Sequence, residues 1–186
     1  ATNYMILDGT PRKQMIKVMR PYQVYAASSI IEKVRQHDFD IQDQGVGYIW
    51  HATGLGKTIS SFKTAWLASR LPNVDKVIFL VDRVALTNQT VDEYSAYDPE
   101  KGENGNGGVV TDAANRWVLS KKIKSKGNGI IVTSIQKMAA LVKDKKGINE
   151  IAKKNILFIV DEAHRSTAGD MLQSIKTSFP RSAWVG

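Results

Sequence analysis

The sequence predicts an α/β domain: a doubly wound, mainly parallel sheet with helices on both faces. Short apolar runs alternate with segments of helical period, at least five such runs recur, and motif residues stand directly after several of them. A length of 186 residues suits one domain that buries about 70% of its unfolded-state surface.

Residues 1–19 show no clear period and read as a leader from a preceding domain or linker, with the main domain over 20–186. Pro21 suits a first helical turn, and Val24, Ala27, Ile30, Ile31 and Val34 recur at helical spacing, so a helix is expected to about His37. Residues 46–50 read as the first core strand. A glycine-bearing loop follows, then a helix to about Arg70 that buries Phe62, Ala65, Trp66 and Leu67. Residues 77–81 form a continuous β-prone run, as expected of a parallel strand covered on both faces. Asp82 and Arg83 then lead into a helical stretch to about Tyr97. The Gly-, Asn- and Pro-bearing residues 98–108 read as a flexible loop, with no domain boundary because the alternation resumes after it. A helix over 112–122, a strand over 130–133 and a helix opened by Ser134-Ile135-Gln136-Lys137 come next. A buried strand over 156–160, a short helix over 169–177 and a strand over 182–185 complete the pattern.

The chain has no cysteine, which excludes disulfides and thiolate metal sites, and His37, His51 and His164 are too scattered to suggest a histidine metal centre. No apolar run is long enough to span a bilayer and the N-terminus lacks the regions of a signal peptide, so a cytoplasmic protein without membrane contact is expected. Net charge is +8, with basic residues bunched at 12–20, 116–126 and 143–154; this balance favours a polyanionic partner such as nucleic acid.

The stretch His51-Ala52-Thr53-Gly54-Leu55-Gly56-Lys57-Thr58 joins a strand to a helix. Backbone N–H groups at Thr53, Gly54, Leu55 and Gly56, opening onto a helix N-terminus, form a cradle for a polyphosphate. The two glycines leave no Cβ between backbone and phosphate oxygens. Lys57 is expected to reach the β- and γ-phosphates of ATP and Thr58 to ligate Mg²⁺. Gln23, one helix earlier, can offer donor and acceptor together to an adenine edge. Asp161 and Glu162 end the 156–160 strand, where ligands bind in open α/β sheets. Asp161 is expected to hold Mg²⁺, in part through water, and Glu162 to orient and deprotonate the attacking water. One crevice can hold the loop and this pair unless Lys57 and Asp161 lie on opposite sheet edges.

Gln23, the Gly54-Leu55-Gly56-Lys57-Thr58 loop and Asp161-Glu162-Ala163-His164 stand in the order of the Q motif, motif I and motif II. They resemble the first RecA-like domain, a P-loop NTPase fold, of superfamily-two helicases and translocases. With His51 opening motif I, Val81-Asp82-Arg83, Ser134-Ile135-Gln136-Lys137 and Asp161 through Ser166, the resemblance is closer to the motor (R) subunit of type I restriction enzymes. It implies ATP-driven translocation of double-stranded DNA toward methylation and specificity subunits. It further implies DNA-phosphate contacts near Arg83, Thr133, Ser134 and Lys137, and a role for His164 and Arg165 in coupling hydrolysis to motion. A nuclease domain is expected before residue 1 and a second RecA-like domain, with its arginine finger, after Gly186. The isolated residues are therefore expected to bind ATP weakly and turn it over slowly or not at all. Two alternatives stay open: another superfamily-two motor of type III restriction or repair type, and a nucleotide-gated DNA-binding module.

Overall fold

The apolar runs become a sheet because each is β-prone and flanked by segments that can cover it. The computed structural model describes residues 4–9, 14–41, 45–48, 56–82, 84–101, 108–113, 115–161 and 169–186. Along the chain the elements are β1 (Met5–Asp8), β2 (Met15–Val18), α1 (Pro21–Gln36), β3 (Gly45–Gly47), α2 (Lys57–Ala68), β4 (Lys76–Val81) and α3 (Val84–Tyr97). Then come β5 (Val110–Asp112), α4 (Arg116–Lys124), β6 (Ile130–Ser134), α5 (Ile135–Val142), α6 (Lys145–Ile151), β7 (Ile156–Val160), α7 (Gly169–Ser178) and β8 (Ser182–Val185).

Six strands form one parallel sheet in the order β3-β8-β7-β4-β6-β5. Side chains alternate across it. Val77, Phe79, Val81, Val132, Leu157 and Ile159 face one core with Phe62, Ala65, Ile30, Val34 and Tyr94 from α1, α2 and α3. Ile78, Leu80, Ile131, Phe158 and Val160 face the other, with Leu119, Ile123, Met138, Ile151 and Ile175 from α4 to α7. The expected fold class is thus the observed one. Phe158 is wholly buried and stacks on Trp184 at 4.3 Å between ring centroids. Side chains of this kind contribute roughly 1.5–3 kcal/mol each on burial.

Four expectations need correction. Residues 5–8 and 15–18 pair as an antiparallel hairpin with Met5 opposite Val18 and Leu7 opposite Ile16. The sequence hid it because Met5, Leu7, Met15, Ile16 and Val18 are apolar yet exposed, which blurs the strand alternation. Buried Ile6, a Lys63 Nζ bond to the Met5 carbonyl (3.1 Å) and a Gly9 amide bond to the Ala96 carbonyl (2.8 Å) tie the hairpin to α2 and α3. The helix expected over 112–122 starts four residues later, because 110–112 pair with β6 and Asn115 caps the helix. Helix α6 was legible only as a basic bunch, since seven residues are too few to show a period. The first core strand covers 45–47 rather than running on from 46 through Tyr48, whose side chain is exposed; 49–50 lie outside the described residues.

The loop expected over 98–108 is pinned at its ends by one buried carboxylate. Asp98 accepts from the amides of Glu100 (3.0 Å), Val109 (2.6 Å) and Val110 (3.1 Å). Gly108 sits at φ +93°, and a Cβ there would meet Asp98 Oδ2 at 2.7 Å. Asp98→Ala would strand these amides and is expected to cost about 2–4 kcal/mol. Amide exchange at Val109 and Val110 measures it; unchanged protection there would contradict the clamp.

Candidate active site

Helix α2 begins abruptly because Gly56 takes the left-handed conformation, φ +74° and ψ +42°, as its N-cap. A glycine offers no side chain to cap the amides of the first turn, and α2 has no side-chain cap bond. By contrast Asn115 caps α4 and Ser134 caps α5. A twelve-residue helix with such a start suits an anionic ligand. Lys57 and Thr58 are its first two residues, both half-buried.

Gln23 is 4% exposed. Its Oε1 accepts from the Arg20 amide at 2.8 Å and its Nε2 donates to the Gly56 carbonyl at 3.2 Å. The residue that the sequence assigns to adenine therefore also fixes the loop to the start of α1, committing one donor hydrogen and one lone pair of its amide.

Asp161 follows β7, and its amide donates to the Leu80 carbonyl of β4 at 3.0 Å. β7 is separated from β3 by β8 alone, so the two motifs are not on opposite edges. Tyr94 joins them. Its hydroxyl donates to Ser61 Oγ at 2.8 Å, and Ser61 Oγ donates to the Thr58 carbonyl at 3.2 Å. Burial pushes the Tyr94 hydroxyl well above the ordinary tyrosine range, the Ser61 bond opposes this, and the nearby Asp161 charge adds to the rise. Tyr94 thus stays a neutral donor beneath the first turn of α2. Neither Ser61 nor Tyr94 was singled out from sequence; Ser61, one turn after Thr58, was the available signal.

Among the described residues no group of three or more His, Cys, Asp or Glu gathers to hold a metal ion. Thr58 and Asp161 offer oxygen donors of the kind that suit Mg²⁺, which retains waters and takes substrate phosphates as ligands. Thr53, Gly54, Leu55, Glu162, Arg83, His164 and Arg165 lie outside the described residues.

Beside this site, the expected DNA contacts mostly turn inward. Thr133 and Ser134 are wholly buried, and the Ser134 hydroxyl accepts from the Lys137 amide at 3.2 Å. Lys137 Nζ donates to the Ala113 carbonyl at 3.1 Å. Gln136 Nε2 donates to the Asp82 carbonyl at 2.7 Å, fastening α5 to the end of β4.

The SWI2/SNF2 ATPase family matches residues 22–186. The C-terminal part of the MpnIIP type I restriction endonuclease subunit of Mycoplasma pneumoniae is 39% identical over 170 residues, 87% of this chain and 79% of that protein. This chain belongs to the SWI2/SNF2 ATPases of type I restriction endonuclease subunits. A second member, from Staphylococcus aureus strain COL, is 37% identical over the whole chain, which spans 18% of that relative's length. Among solved structures, a nuclease-deletion mutant of the type ISP restriction-modification enzyme LlaGI, in complex with a DNA substrate mimic, aligns with a TM-score of 0.61. It covers 91% of this chain and 17% of that one at 20% identity, which shows a shared fold. The helicase-like, nucleotide-binding, restriction-system reading of the motifs agrees with this membership. Among the described residues of this SWI2/SNF2 domain, no helix is long and apolar enough to cross a membrane.

Proposed function

We propose that this domain is the ATP-driven motor of a type I restriction enzyme, coupling hydrolysis to movement along double-stranded DNA and, in the full enzyme, to cleavage. The observation that carries the reading is the uncapped start of α2, where the left-handed Gly56 sets Lys57 and Thr58 at a helix N-terminus, in the same parallel-sheet domain whose β7 leads into Asp161.

In this reading the amides of Thr53, Gly54, Leu55 and Gly56 cradle the phosphates, Lys57 holds the β- and γ-phosphates, and Gln23 reads adenine while bracing the loop. Thr58 and Asp161 hold Mg²⁺, which supplies charge neutralisation at the transferring phosphoryl group. Glu162 orients the attacking water and accepts its proton. His164 and Arg165 transmit the change to the rest of the motor. Arg83 and Lys137 meet DNA phosphates near Thr133 and Ser134, which are buried and hold the head of α5 in place, the Ser134 hydroxyl accepting from the Lys137 amide. The partners are methylation and specificity subunits in the cytoplasm. The likeness to LlaGI, solved in complex with a DNA substrate mimic, supports the DNA assignment.

The test is triplex displacement. The full-length subunit, assembled with its methylation and specificity subunits on linear duplex carrying their site, should strip a distant third strand with Mg·ATP and not with a non-hydrolysable analogue. Nucleotide-dependent DNA retention without displacement would instead make the domain a gated clamp.

A further inference from the structure

Helix α4 opens on a side chain that the fold does not need. Trp117 is 70% exposed, and the Arg116 guanidinium lies over its ring at 5.5 Å. Leu119 and Ile123 anchor the other face of the helix in the core. Trp117, Lys121 and Lys124 are all exposed at i, i+4 and i+7, one stripe of the helix surface. No acidic residue occurs between Asn115 and Gly129, whereas Arg116, Lys121, Lys122, Lys124 and Lys126 do. Lys124 reaches Glu150 at 2.8 Å, so part of the charge at the helix tail is compensated.

The placement of the helix head is fixed. Asn115 Oδ1 accepts from the amides of Trp117 and Val118 at 3.0 Å each, setting the first turn. Strand β5 runs parallel to β6 with Asp112 opposite Val132, so α4 starts on the same rim as Thr133, Ser134 and Asp161. The Lys137 bond to the Ala113 carbonyl fastens the first turn of α5 to the segment leading into α4. On this rim Thr133 and Ser134 are buried and the Lys137 ammonium is engaged, while Arg116 and Trp117 face outward.

We propose that Arg116 and Trp117 form a duplex DNA contact of the motor domain, the guanidinium on a backbone phosphate and the indole against the adjoining deoxyribose. Charge complementarity selects the occupant: an aromatic flanked by cations suits a polyanion whose sugars present apolar surface between the phosphates. The proposal rests on the reading of the domain as a DNA motor. Neither side chain belongs to the nucleotide site.

The experiment uses the full-length subunit, with Trp117→Ala, Trp117→Phe and Arg116→Ala compared with the parent. ATP hydrolysis without DNA should be unchanged in all of them, which also reports that each has folded. Duplex affinity, read by anisotropy across a salt series, should fall about five- to tenfold for Trp117→Ala and largely recover for Trp117→Phe. Arg116→Ala should lower the log–log salt slope by about 0.9. If the parent binds duplex and is stimulated by it while all three variants match it, the contact is wrong and the motor reading survives. Normal DNA binding with impaired assembly with the other subunits would overturn it in favour of a protein interface. A parent that does not bind duplex removes the motor reading and this contact together.

Discussion

Lys57→Ala in the full-length subunit is expected to lower DNA-stimulated ATP hydrolysis by about 10²- to 10³-fold or more, the cost of removing one preorganised charge from a phosphoryl-transfer site. Lys57 is the first residue of α2, directly after the left-handed Gly56, so its ammonium and the helix dipole act on the same phosphates. With the ammonium gone and only the dipole left, nucleotide affinity and turnover should fall together. Glu162→Gln should separate them: Mg·ATP and DNA binding stay near parental values while turnover and third-strand displacement disappear. Calorimetric titration and steady-state hydrolysis measure the two quantities. Near-parental hydrolysis by either variant would remove that residue from the mechanism, and by both would place the chemistry elsewhere.

Gly56→Ala should be nearly as damaging for a different reason. A Cβ at φ +74° costs about 1–2 kcal/mol of backbone strain, and it would also sit 2.7 Å from Gln23 Nε2. Gln23 cannot swing aside cheaply, because it is buried and held by the Arg20 amide and the Gly56 carbonyl. Nucleotide affinity is expected to fall at least about tenfold, as the strain and the collision together exceed 1.4 kcal/mol. Adding Gln23→Ala should relieve the collision and leave the strain, so the double variant recovers part of the loss as hydrogen-exchange protection in the first turn of α2. Parental nucleotide affinity in Gly56→Ala alone would show that the left-handed turn does not shape the loop.

Strong periods and long apolar runs made most of the fold legible. β4, β7 and β8 are buried along their whole length and were visible as unbroken apolar segments, and α1 announced itself through Pro21 and its spaced aliphatics. What escaped was short or carried its apolar residues outward: the β1–β2 hairpin, three-residue β5 and seven-residue α6. The motif residues of the candidate site were legible because their chemistry demands particular side chains at fixed spacing. Their supports were not. The Tyr94–Ser61 bond spans 33 positions, and Gln23 reaches the loop over the same separation; no local pattern encodes such pairs. The inward turn of Thr133 and Ser134 was likewise invisible, since a polar residue at a strand end can cap the next helix as readily as meet a ligand.

Among the described strands β3 pairs with β8 alone, with Gly45 opposite Trp184. Strand β8 must therefore have left the ribosome before β3 can pair. Nascent chains halted before position 182 hold motif I as text yet lack the strand beside which β3 pairs, so triphosphate capture should strengthen once β8 has emerged.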